Sequence, residues 1–334
     1  SRLEFNRMKT IVFRTLGGKG IGYGHFYRCL SLAKGITFLE KHVNIIFIIN
    51  EELIELIENT SFNYIVSNKL NEDLNIIGNM DIDLFILDSY LGSNEYLRKI
   101  KRKTKLMLMD DNNDIYDSTI ADILYNGNIY AQNLNYLHVK DQIQLLGSKY
   151  LIMKEEYWVN KQDEYTSKEG VLVTTGGTDK YGVITRIIDT IKHLDIKINV
   201  VIGPGFNDDY IKEIDDKKPE NVDLIYKPIS LKDYINLSKI VITAGGSTVY
   251  EVLSQKSIPI VFSIADNQDL LCAILNRMGI EYIGKYPNID YTKLKPLLKR
   301  VYSDDVDREA ELNNLVTGEG TLLVAQEIIG LLDK

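Results

Sequence analysis

The sequence predicts an α/β protein built from two consecutive Rossmann-like units, each a doubly wound parallel sheet. Short β-branched apolar runs alternate with amphipathic stretches along nearly the whole chain, the pattern of strands and crossover helices in parallel sheets. The alternation breaks once, in the polar and charged stretch from Lys154 to Gly170 that carries Trp158, and then resumes. At 334 residues the chain is about twice the usual length of one domain, and a hydrophobic share of 45% can fill two cores.

In the first half the strand candidates are Thr10 to Arg14, Asn44 to Ile49, Asp83 to Asp88 and Lys105 to Asp110. Each meets a turn signal and then a helical pattern, such as Phe26 to Ala33 after the first, Glu51 to Glu58 after the second and Ser93 to Lys101 after the third. The second half repeats the scheme with Gly170 to Thr175, Lys197 to Ile202, Val222 to Tyr226, Lys239 to Thr243 and Pro259 to Phe262. The expected organisation is a first domain at 8–155, a linker at 156–170 and a second domain at 171–334. The last amphipathic stretch, Gly320 to Leu332, is long enough to stay with the second domain or to return to the first. Ser1 to Arg7, ahead of Met8, is set aside as foreign to the fold. In open α/β sheets ligands bind beyond the carboxyl ends of the strands, so two such units facing each other would line one central cleft with their strand-end loops.

A net charge of −8 argues against a broad nucleic-acid or anionic-membrane surface, because either needs a basic face that collects phosphates. Any phosphate bound here must be held by local geometry. The two cysteines, Cys29 and Cys272, stand far apart with no CxxC or Cys/His cluster, so neither a disulfide framework nor a zinc site is expected. No apolar run is long enough to span a membrane and no secretion signal opens the chain, so a cytoplasmic location is expected. No metal and no cofactor are expected.

Four loops at strand ends carry the candidate chemistry. The first, Leu16 to His25, holds glycines including Gly22 and Gly24 just before a helix, where backbone N–H groups and the helix start suit an anion. His25 at its end is the titratable ring placed to act as a base near neutral pH, although a histidine at a helix start can equally be satisfied by backbone. The other histidines, His42, His138 and His193, read as surface residues. The second loop, Thr174 to Asp179, brings Gly176, Gly177 and Asp179; it can wrap a pyrophosphate, lie beneath a sugar or simply turn strand into helix. The third, Thr243 to Glu251, places Gly245, Gly246, Ser247 and Thr248 as anion donors and Glu251 as acceptor for a ribose diol, or else forms a capping box. The fourth, Ser263 to Gln268, offers Asp266, Asn267 and Gln268 to sugar hydroxyl or acetamido groups, or caps a helix. In the first domain Asp88 ends a strand with Tyr90 close behind, while Asp110-Asp111 reads as a polar turn rather than a metal pair.

Read in order, Gly22-Tyr23-Gly24-His25-Phe26-Tyr27-Arg28, Asp88-Ser89-Tyr90, Asp110-Asp111, Asn126-Gly127-Asn128, Leu146-Gly147-Ser148-Lys149-Tyr150, Gly176-Gly177-Thr178-Asp179, Ala244-Gly245-Gly246-Ser247-Thr248 and Ala265-Asp266-Asn267-Gln268 resemble the PseG family. These are UDP-diacetamido-trideoxy-altropyranose hydrolases, grouped with spore coat polysaccharide proteins of the SpsG type, and the resemblance runs over nearly the whole chain from Met8. It implies the GT-B architecture shared with MurG-like glycosyltransferases, and hydrolysis of a UDP-sugar with inversion at the anomeric carbon, in nonulosonic acid or surface-glycan synthesis. Carried onto this sequence, it makes His25 the catalytic histidine, Asn267 an active-site amide near the sugar and Tyr90 the first-domain tyrosine. Glu251 would hold the ribose, with Gly246, Ser247 and Thr248 facing the phosphates. The chain departs from the pattern at Leu16-Gly17-Gly18-Lys19, where many relatives carry an acidic residue and hydroxyls, so its sugar-facing contacts are expected to differ. A glycosyltransferase with the same UDP site and a nucleotide-sugar binding protein without catalysis are the alternatives.

Overall fold

A computed structural model describes residues 7–158, 167–303 and 314–334. The opening residues 1–6 and the middle of the expected linker, 159–166, lie outside the described residues. The chain divides into two compact units, the first formed by Ser1–Trp158 with Gly318–Lys334, the second by Val159–Thr317.

The first unit is a parallel sheet of seven strands in the order β3-β2-β1-β4-β5-β6-β7. Its strands are β1 (Lys9–Thr15), β2 (Val43–Ile49), β3 (Asn63–Val66), β4 (Leu84–Asp88), β5 (Lys105–Met109), β6 (Ile123–Asn126) and β7 (Ile143–Leu146). The central ones are apolar on both faces, as a sheet covered by helices on both sides requires. Four helices precede the second unit: α1 (Gly24–Leu39), α2 (Ile54–Glu58), α3 (Asp73–Ile77) and α4 (Asn94–Lys103). In α1, Phe26, Cys29, Leu30, Ala33 and Ile36 recur at helical spacing and are buried, and Phe26 meets Phe47 of β2, which in turn stacks on Phe13 of β1. The Ser93 side chain caps α4 by accepting from the Tyr96 amide at 3.1 Å, and Lys101, Arg102 and Lys103 close its last turn against the helix dipole. On the opposite face Arg14 and Asp73 form a fully buried ion pair at 3.0 Å.

The second unit is a parallel sheet of six strands in the order β10-β9-β8-β11-β12-β13. These are β8 (Val171–Thr174), β9 (Ile198–Ile202), β10 (Val222–Tyr226), β11 (Ile240–Ala244), β12 (Ile258–Ser263) and β13 (Glu281–Lys285). Helices α5 (Val183–Ile191), α6 (Asp208–Lys217), α7 (Lys232–Leu237), α8 (Thr248–Ser254), α9 (Asp269–Arg277) and α10 (Leu294–Ser303) cover it.

Two features add to the sequence-based organisation. At the start of the expected linker Tyr157 and Trp158 are buried, the Trp158 indole donates to the Met153 carbonyl at 2.9 Å, and its ring lies 6.0 Å from that of Phe38 on α1. The final helix, α11 (Gly320–Leu332), lies in the first unit, where Val324, Ala325, Ile328 and Leu332 join the core beneath β1 and β2. It approaches α1 closely at Gly35, where a Cβ would stand 2.9 Å from Cγ2 of Thr321. The Thr321 hydroxyl sits between the amide and carbonyl of Met153, 2.9 Å from each. A large aliphatic side chain fully buried this way contributes roughly 1.5–3 kcal/mol, so α11 is integral to the first core.

Both strand orders reverse direction next to their first strand, β1 beside β4 in one unit and β8 beside β11 in the other. At such a reversal the following loops diverge to opposite faces and leave a crevice at the carboxyl edge.

Candidate active site

In the first unit that crevice opens where β1 ends at Thr15, paired in register with Asp88 at the end of β4. The glycine-rich loop after β1 is held open by a small internal ladder, with Gly22 N–H donating to the Gly18 carbonyl at 2.7 Å and the reverse bond at 3.1 Å. Gly18, Gly20 and Gly22 all have positive φ, which other residues rarely adopt. Asn50, at the end of β2, ties the loop down through both its amide atoms to Gly17, at 3.0 and 2.7 Å. The loop thus delivers the first turn of α1, with His25 on it, to the crevice.

There His25 Nδ1 lies 2.6 Å from Asp88 Oδ1, and the Asp88 side chain is fully buried. A carboxylate offers acceptors only, so Nδ1 carries the hydrogen, and in the neutral ring the lone pair is on Nε2. Nε2 has no hydrogen-bond partner among the described residues. The Tyr90 ring meets His25 edge-on, with centroids 4.4 Å apart and planes at 90°. Its phenol does not face the imidazole: it donates to Asp111, and burial together with that negative charge pushes the phenol well above its ordinary value. Tyr90 is therefore a hydrogen-bond donor to Asp111 and a wall for the ring.

Sequence reasoning missed the residue that organises this cluster. Arg28, one turn after His25 on α1, donates to Asp88 through Nε and Nη2, each at 2.7 Å, and to Asp111 through Nη1 at 2.7 Å and Nη2 at 3.1 Å. Burial opposes its charge, yet the two carboxylates hold the guanidinium well above its ordinary value. Burial would likewise raise Asp111, but the Arg28 charge and hydrogen bonds from Arg28, Tyr90 and Asn128 outweigh it and hold this carboxyl well below the usual range. Of the expected polar turn, Asp110 fits, accepting from the Asn113 amide at 3.0 Å, whereas Asp111 belongs to the ion-pair cluster. The three-residue spacing of His25 and Arg28, which puts both on one helix face, was the signal available. His42, His138 and His193 are exposed.

In the second unit Gly176 and Gly177 follow β8, while Gly245 and Gly246 follow β11, on the two sides of its reversal point. The β11 turn is sterically committed to glycine at Gly245, whereas a Cβ on Gly176 or Gly177 would meet nothing within 4 Å. A Cβ on Gly245 would stand 2.3 Å from Cys272 Sγ, and a third glycine turn that sequence reading passed over, Gly203 to Gly205, packs so tightly that a Cβ on Gly203 would lie 2.4 Å from the Gly176 carbonyl oxygen. The amides of Ser247 and Thr248 have no acceptor among the described residues, and Ser247 makes no side-chain cap bond, so the capping box is not formed. Glu251 is half-buried one turn further on.

The remaining predicted residues separate into structural and open groups. Both carboxylate oxygens of Asp179 have partners within the protein, accepting from the Val183 and Ile184 amides at 2.9 Å each and from the Tyr210 phenol, so Asp179 shapes the start of α5. Gln268 Oε1 accepts from the Ile264 amide at 3.0 Å, and its Nε2 stands 4.0 Å from where a Gly246 Cβ would be, which brings the third and fourth loops together. Asp266 pairs with Lys285 at 2.5 Å on the surface. Asn267 beside it is exposed with no partner among the described residues.

Two Rossmann-like units in succession are the make-up of the GT-B fold, and solved glycosyltransferases share it. The structure superimposes on MurG of Acinetobacter baumannii with a TM-score of 0.64 at 10% identity, covering 97% of this chain and 99% of that one. For CalG4, the calicheamicin glycosyltransferase, the TM-score is 0.66 at 12% identity over 98% and 99% of the two chains. In sequence the chain resembles the PseG-type hydrolases. It is 24% identical, over 83% of its length and 99% of the relative's, to the UDP-2,4-diacetamido-2,4,6-trideoxy-beta-L-altropyranose hydrolase of Campylobacter jejuni. It is 26% identical over 96% of its length to an uncharacterized protein of Methanocaldococcus jannaschii, MJ1062, of which it spans 66%. A Helicobacter pylori protein named as both pseudaminic acid cytidylyltransferase and that same hydrolase matches at 23% over 71% of this chain and 43% of its own length. No family model matches the chain. Among the described residues no helix is long and apolar enough to cross a membrane.

Proposed function

We propose that this chain is an inverting UDP-sugar hydrolase in which His25 is the general base. The observation that carries the reading is the 2.6 Å bond from His25 Nδ1 to the wholly buried Asp88, which leaves Nε2 as a lone pair at the carboxyl edge of the sheet. Such a pair fixes the tautomer and stabilises the imidazolium formed when the ring takes a proton. In the proposed step a water oxygen bonds to the anomeric carbon, its proton passes to His25 Nε2, and the bond from that carbon to the diphosphate oxygen breaks, releasing UDP. The uncapped amides of Ser247 and Thr248 at the Gly245-Gly246 turn are assigned to the departing diphosphate and Glu251 to the ribose. Gly176 and Gly177 flank this site and Asn267 is assigned to the sugar; in the first unit a Cβ built on Gly22 or Gly24 would meet nothing within 4 Å. The name of the Campylobacter jejuni relative supports a diacetamido-trideoxy sugar as the glycosyl group.

A transferase, in which an acceptor hydroxyl replaces the water, is the second reading, favoured by structural neighbours such as the calicheamicin glycosyltransferase. Incubation with a panel of UDP-sugars and no acceptor separates the two. Release of UDP by the wild type, and none by His25→Ala, is the expected result; binding of the UDP-sugar without release would overturn hydrolysis.

A further inference from the structure

We propose that Arg28 is a positioning residue that sets how readily His25 takes up a proton, with Asp111 as its counterweight. The inference rests on the reading of His25 as the base. Its foundation is a shared atom: Asp88 Oδ1 accepts from His25 Nδ1 at 2.6 Å and from Arg28 Nη2 at 2.7 Å. A lone carboxylate this close to an imidazole favours the imidazolium, which has no lone pair for a water proton. The guanidinium, bound to the same oxygen and to its geminal partner, cancels much of that pull. Asp111, on the far side of the fork, takes back part of the cancellation and is itself fixed by the Tyr90 phenol and by Asn128 Nδ2 at 3.0 Å. Three charges in a row thus act on the ring through Asp88, the guanidinium opposing the imidazolium and the outer carboxylate favouring it.

The other titratable groups around the cluster do not disturb this balance. Cys29, on α1, stands 3.9 Å from Asp88 Oδ2 and burial pushes its thiol well up. The phenols of Tyr90 after β4, Tyr125 on β6 under Arg28, and Tyr130 beyond it are all raised by burial, Tyr130 to about 12. Each is neutral in the working range. Asp110, the next carboxyl along, is turned away to Tyr136 and the Asn113 amide.

The sign of each substitution follows. Arg28→Met removes the positive charge, so the titration midpoint of the His25 ring rises, by about one unit or more for a charge at this distance. Asp111→Asn removes the outer negative charge and lowers the midpoint. Arg28→Lys keeps the charge but cannot fork to both carboxylates, so the midpoint stays near that of the wild type while turnover falls. The experiment follows the ring carbon-bound protons of the four histidines by NMR across pH in the full chain, with His25 assigned by the signal lost in His25→Gln. The pH profile of UDP release is measured in parallel. Opposite displacements in Arg28→Met and Asp111→Asn, matched by the acid limb of the profile, are expected. No displacement, or displacement in one direction for both, overturns the proposal. If Arg28→Met does not fold, Arg28→Lys and Asp111→Asn still decide it: an unmoved midpoint in the first and a lowered one in the second are required. The two readings fail separately. Persistent UDP release by His25→Ala removes the base while leaving the NMR displacements to stand; a dead His25→Ala with unmoved midpoints removes the role of Arg28 alone.

Discussion

Of the four histidines, His25 alone among the described residues is gripped by a buried carboxylate, and that grip decides what its replacement should do. Loss of a general base costs roughly 10²–10⁴ in rate, so His25→Ala should abolish UDP release at that level while a UDP titration by calorimetry remains close to wild type. Asp88→Asn keeps the shape but can present its amide to Nδ1 and invert the tautomer; a fall in turnover of similar size, about 10²–10⁴, is expected with KM little altered. Near-normal turnover in either variant contradicts the assignment. Glu251→Ala should instead raise KM far more than it lowers kcat, because the ribose contact proposed for it would be made equally in ground and transition states. The sequence exposed His25 and Tyr90 as candidates, but not that the Tyr90 phenol points at Asp111. Long-range pairs such as Arg28 with Asp111, set by the side-by-side packing of β4 and β5, leave no periodic trace in a single chain.

The strand-end turns show how tightly an element can depend on one missing side chain. Gly245→Ala should displace the β11 turn against Cys272, costing about 1–3 kcal/mol of stability and weakening nucleotide binding. Adding Cys272→Ala should recover much of both, since the obstacle is Sγ alone; strictly additive losses in the double-mutant cycle would show that the turn is shaped by something else. At this scale the sequence revealed the buried central strands, whose continuous apolar runs are unambiguous. It concealed β3, β7 and β13, short edge strands only partly buried, and β6, four residues long. Such segments are defined by pairing with a neighbour more than by their own composition.

Over the whole molecule, charge and chain path set the stability. Asp111 titrates below its ordinary value, so the folded state binds that proton less readily than the unfolded chain does. Its contribution is complete above the ordinary carboxylate range and is lost as pH falls from there toward its depressed value. Urea denaturation of wild type and Asp111→Asn should therefore differ most at neutral pH and converge in strong acid; a gap unchanged at pH about 3 would contradict the ion-pair account. The sequence left the destination of the last helix open, because its apolar stripe could suit either core. Ile328→Ala, at a fully buried site, should cost about 2–5 kcal/mol and be felt by the first unit, as a hydrogen-exchange map would show.

That return of α11 has a consequence for how the protein is made. Translation runs from the amino end, so the first sheet emerges early and waits with an apolar trough along α1 until residue 332 has been synthesised. The second unit, contiguous in sequence, can finish beforehand. The half that begins first is thus completed last, and in the interval its uncovered trough is the part of the nascent chain most in need of a chaperone.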